Sequence, residues 1–167
     1  MGHPYLRIPL LCTVCGIVLT ITDFVSAFQL TRALLPDANG VYSSEVINLP
    51  HTLILVGMGL VLFLLVGLLF ARRMTRRELA LSASLVVVYH VVFLVLEKVV
   101  QLMGAYPITL FLLLGLPIQF SSAFLQGVFQ IFPAFPLWGG IIVSLFVPYL
   151  FVLFGKKAER HHESHMP

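Results

Sequence analysis

Long apolar stretches separated by short polar ones run through the chain from one end to the other. A helix needs about 20 mostly apolar residues to cross a hydrocarbon core about 30 Å thick. Four stretches meet that need. The first runs over residues 8–30, behind Arg7, and the second over 53–71, with no charge until Arg72-Arg73. Pro50 suits a first helical turn, so this second helix is expected to start close to it. The third stretch, 79–103, follows Thr75-Arg76-Arg77-Glu78, where hydroxyl and carboxylate would satisfy each other's amide donors at a helix start. The last, 137–154, stops at Gly155-Lys156-Lys157.

Residues 108–132 are apolar enough to cross but are interrupted by Pro117. Beyond it, Gln119, Ser122, Gln126 and Gln130 fall on one helical stripe, with Phe120, Phe124, Val128 and Ile131 on the other. This is the pattern of an amphipathic helix that lies in the interface or lines a polar cavity. The piece before Pro117 is too short to cross alone, and a re-entrant hairpin is permitted only where protein covers its broken backbone.

Charge decides between the topologies. With four crossings, Arg7, Arg72, Arg73, Arg76, Arg77, Lys156, Lys157 and Arg160 share one side, eight cations against two, Arg32 and Lys98. If 108–132 also crosses, the split becomes five against five. Cytoplasmic segments collect cations, which favours the first arrangement. The expected fold is thus an all-α integral membrane protein. It is a four-helix transmembrane bundle with an additional interfacial or re-entrant helical segment. Residues 1–157 form the membrane domain and 158–167 a cytoplasmic polar tail, with both termini inside the cell membrane. One competing reading takes Arg7, the following apolar stretch and Val25-Ser26-Ala27 as a secretory leader with its cleavage site, which would leave three crossings. The connection from Pro36 to Leu49 carries an Asn39-Gly40 turn signal and is expected to cap the outer side.

Composition agrees with lipid as the main solvent: 59% of residues are hydrophobic, 10% are charged and the mean hydropathy is +1.02. The net charge of +3 sits at the ends of apolar runs rather than in a patch, so nucleic acid is not an expected partner. The bilayer is, and so small a chain is expected to form a homo-oligomer or join a larger membrane complex.

Few side chains inside the apolar runs can carry chemistry. Asp23 lies about 22 Å along the first helix, where an ionisable group is a functional candidate. Cys12, Gly16 and Thr20 share its stripe, so it is expected to face protein, with Arg32 or a backbone donor as its structural partner. On the third helix His90, Glu97 and Gln101 form a polar line from mid-membrane outward. With Asp23 they make a candidate proton- or cation-binding site, since histidine titrates near neutral pH. The structural alternative is that His90 bonds across helices while Glu97 and Lys98 mark the interface. Gln119, Ser122, Gln126 and Gln130 are the candidates to line a cavity.

Cys12-Thr13-Val14-Cys15 is a C-x-x-C and a weak redox candidate. Its analogy with small membrane thiol oxidoreductases that pass electrons to quinone rests on size and this one motif. A second cysteine pair is missing, and two small apolar residues packing against a neighbour account for the same pattern. His161, His162, Glu163 and His165 could hold a metal loosely, but a solvated tail is the expectation. No phosphate loop, nucleophile elbow or zinc-protease motif occurs, so no enzyme class, cofactor or metal site is expected. The best reading is a transport or channel component, or an accessory subunit of a membrane complex. The alternatives are a thiol-disulfide oxidoreductase using Cys12 and Cys15, or a structural or regulatory membrane protein.

Overall fold

A computed structural model describes residues 4–33, 44–104 and 107–156. The tail histidines, Asn39-Gly40 and Tyr106 lie outside the described residues. The described chain is helical, with no strand beyond one isolated bridge pair. Its elements are α1 (Arg7–Ala33), α2 (Ser44–Leu69), α3 (Arg76–Leu102), α4 (Ile108–Ile131) and α5 (Leu137–Phe146), the last continued by a 3₁₀ segment, Val147–Phe154. Five helical segments are long and apolar enough to cross a membrane: the four expected ones and Ile108–Ile131. Length and apolarity alone therefore do not yield the expected count of four.

Two local expectations are corrected. Pro50 sits well inside α2 rather than at its start. It removes only the backbone bond to the carbonyl four residues earlier, which the surrounding turns tolerate. The last run is not uniform α-helix either. Pro148 has no N–H for the carbonyl of Ser144, and from Val147 onward the chain tightens to 3₁₀. The tighter helix rises about 2 Å per residue, so the whole segment reaches about 31 Å, where pure α-helix would reach about 27 Å and fall short of the hydrocarbon core.

One end of the bundle is heavily cross-linked by hydrogen bonds. At the start of α3 the expected cap is present: the Glu78 amide donates to the Thr75 hydroxyl (3.3 Å) and the Thr75 amide to the Glu78 carboxylate (2.9 Å). Fully buried Ser82 donates to the Tyr5 carbonyl (2.6 Å) and accepts from the Ile8 amide (3.2 Å), which fastens the start of α1 to α3. The chain returns here as well. The Lys156 amide donates to the Met74 carbonyl (3.0 Å) and the Arg76 amide to the Lys156 carbonyl (3.1 Å). Arg7, the four arginines of the α2–α3 connection and Lys156 therefore gather at one basic end. Just inside it lies the main core, with Ile8, Cys12, Leu19, Leu79, Phe120 and Phe151 all buried.

The contacts along α4 follow an unusual course. At its start Phe111 packs on Phe93 of α3, ring centroids 5.7 Å apart, and the Leu114 carbonyl accepts from the Tyr89 hydroxyl, one turn nearer the basic end. Leu116 then lies against Gly16, where a Cβ would overlap the Leu116 carbonyl, so only glycine lets the two backbones meet. Phe120 stacks on Phe63 of α2 and on Phe151, close to the basic end. After that the neighbours recede. Ala123 and Phe124 face Gly59, and Gly127 faces Val56, each farther along α2 from the basic end. Pro117 lies inside α4, just before its closest approach to the basic end at Phe120. It has no N–H for the Leu113 carbonyl, and Tyr89 donates to the carbonyl next to it, that of Leu114.

Candidate functional site

Away from the basic end, α1, α3 and α4 enclose a cavity of about 300 Å³. Its polar lining is Thr20, Asp23, Glu97, Gln119 and Ser122, and its apolar lining includes Phe93, Ile108, Phe111 and Gly115. Each wall has a local cause. The stripe of Cys12, Gly16 and Thr20 turns one face of α1 into the protein: Cys12 and Gly16 are buried, Thr20 and Asp23 half-buried. The lining residues of α4 recur at spacings of three and four, on either side of Pro117, so one stripe of that helix faces the space.

The cavity unites four of the sequence-selected residues: Asp23, Glu97, Gln119 and Ser122. Gln101 is exposed one turn farther along α3, where its amide donates to a Glu97 carboxylate oxygen (3.4 Å). Gln126 and Gln130 are also exposed, and neither is among the lining residues. Of the apolar face expected after Pro117, Phe120 is buried, Phe124 and Val128 are half-buried, and Ile131 is exposed. His90 takes a different position from its expected partners. It is 5% exposed, it does not line the cavity, and its Nδ1 has no hydrogen-bond partner among the described residues. Phe93, three residues farther along α3, lines the cavity and packs on Phe111.

Reading the chain alone missed His51. Its Nε2 lies 3.0 Å from a carboxylate oxygen of Asp23 and 3.4 Å from the Asp23 carbonyl, so this residue of α2 takes the place expected for Arg32. A signal was available. His51 lies two residues before the second apolar run, and the two runs follow one another in the chain. The Asp23 side chain remains 43% exposed, so the pair leaves its carboxylate open to the cavity.

Cys12 and Cys15 are free thiols, both buried in the main core beside Ile8 and Leu19 rather than in the cavity. Ser26, within the triplet considered as a cleavage site, lies inside continuous α1 and donates to the Asp23 carbonyl (3.1 Å). Among the described residues, no three of His, Cys, Asp and Glu converge as a metal centre requires. The chain matches no protein-family model, no curated protein and no solved structure.

Proposed function

We propose that this chain is a small transport or channel component, or an accessory subunit of one, that binds a proton or small cation in the Asp23–Glu97 cavity. The observation that carries this reading is the convergence of two carboxylates with Thr20, Gln119 and Ser122 on one cavity within the apolar length of the helices. Ionisable groups at such depth are costly, and they mark ion or proton pathways more than packing. An interrupted helix beside them is the arrangement by which transporters expose backbone and polar side chains to an ion. Asp23 is the primary acceptor, and His51 of α2 holds its carboxylate. Beyond Phe93, His90 offers an unpartnered ring nitrogen as the next acceptor toward the basic end.

The accompanying topology has four crossings, with residues 108–132 re-entrant. Two observations support it: the course of contacts along α4, which goes toward the basic end and back, and the return of Lys156 to Met74 and Arg76. The basic end is then cytoplasmic, with both termini inside the cell membrane, and the cavity opens to the other side. The chain works as a homo-oligomer or within a larger complex. The burial of Cys12 and Cys15 in the core supports packing over the redox reading.

The test uses the purified protein in liposomes that enclose a pH-sensitive dye, with a proton gradient imposed across the bilayer. Wild type should conduct, and Asp23→Asn and Glu97→Gln should abolish the flux at equal reconstitution. Equal flux in wild type and both variants would remove the cavity from function. Cys12 and Cys15 found as a disulfide by alkylation trapping in cells would transfer the assignment to redox chemistry.

A further inference from the structure

At the basic end, a groove of about 410 Å³ lies between the start of α1 and the end of α2. Leu10, Leu11, Phe70 and Met74 form its walls, and Arg7 and Arg73 stand at its rim. Leu10 and Phe70 are exposed, so the groove is open to the hydrocarbon around the bundle. Neither guanidinium forms a hydrogen bond or ion pair with the described residues. Arg7 has only a through-space attraction to Glu78, whose carboxylate is already held by Thr75. Arg73 also reaches a second groove of about 290 Å³ on the other side of α2, with Arg72, Lys156, Leu68 and Leu69. Helix orientation needs cations only near the helix ends. It does not need two of them, from different helices, to converge over one apolar channel.

We propose that this groove is a binding site for an anionic phospholipid, with the headgroup phosphate held between Arg7 and Arg73 and an acyl chain lying along Leu10, Leu11 and Phe70. Charge complementarity selects the occupant. Guanidinium groups bind phosphate oxygens bidentately, and the apolar walls below suit a chain and not a soluble anion. The proposal is independent of the cavity and of any transport activity.

Native mass spectrometry of the full chain, released from micelles carrying phosphatidylglycerol or phosphatidylcholine, reads the site directly. Phosphatidylglycerol adducts should persist where phosphatidylcholine adducts are lost. Arg73→Gln should weaken phosphatidylglycerol binding about fivefold, and Arg7→Gln with Arg73→Gln about 25-fold. Arg77→Gln removes the same charge from a position outside both grooves and should leave binding unchanged. Arg73→Lys, which keeps the charge, should show an intermediate loss and guards against a folding defect in the neutral variants. Equal losses in Arg73→Gln and Arg77→Gln would overturn the proposal in favour of diffuse attraction. Equal retention of the two lipids would remove headgroup recognition, and full displacement by glycerol phosphate would make the site one for soluble anions.

Discussion

The two ends of the bundle are built on opposite principles. At the basic end, polar groups are satisfied by one another: Ser82 with Tyr5 and Ile8, Thr75 with Glu78, Lys156 with Met74 and Arg76. At the other end, polar groups line open space. Asp23, Glu97, Gln119 and Ser122 share a cavity, and the carboxylate of Asp23 is joined to α2 by His51. In a bilayer a buried polar group without a partner is costly, so a protein closes such groups off wherever it needs only stability. Leaving them open is the mark of a working surface. The contrast is between a hydrogen-bonded network that fastens the helix starts and, under the proposed function, a cavity that binds.

This division can be broken by substitution, and the expected effects decrease in order. Gly16→Leu drives a side chain into the Leu116 backbone at the bend of α4 and should destabilise the fold by about 3 kcal/mol or more. Unfolding in mixed micelles measures it, and a neutral outcome would mean that α1 and α4 do not meet there. Ser82→Ala leaves the Ile8 amide and the Tyr5 carbonyl without their partner and should cost about 2 kcal/mol. If the melting curve does not move, the fastening of α1 to α3 has been overrated. Thr75→Ala removes the cap of α3 and should cost about 1 kcal/mol. Serine at the same position should restore most of that loss. Asp23→Asn should change stability by less than about 0.5 kcal/mol while it abolishes flux. A large stability loss on this substitution would turn the Asp23–His51 pair into a structural clasp and erase the contrast between the ends.

Much of the scaffold was legible because helices in lipid must be long and apolar throughout. Leu79–Met103 could be bounded within about three residues from its cap and its hydropathy, and the structure places α3 at Arg76–Leu102. Local sequence could not fix the course of 108–131. A crossing helix and a re-entrant one have the same apolar composition, and the contacts that bear on the choice, such as Gly16 with Leu116, are a hundred residues apart. The same limit explains why only part of the candidate set converges on one cavity. Asp23, Glu97, Gln119 and Ser122 stand out as polar residues within apolar runs, so the sequence marks them. His51 lies at the mouth of its run and resembles an ordinary boundary residue until α2 is set beside α1. His90 shares a helical face with Glu97, but the residue of that region that lines the cavity is Phe93, which packs on Phe111 from α4.

The account rests most on α4 turning back. Single cysteines at Thr109, Ser122, Phe132 and Lys156, in a background with Cys12→Ala and Cys15→Ala, can be labelled with a membrane-impermeant maleimide from either side of the membrane. The account predicts that positions 109, 122 and 132 react from one side and position 156 only from the other. Labelling of 109 and 132 from opposite sides would mean that α4 crosses the membrane, and would contradict both the topology and the cavity's single opening.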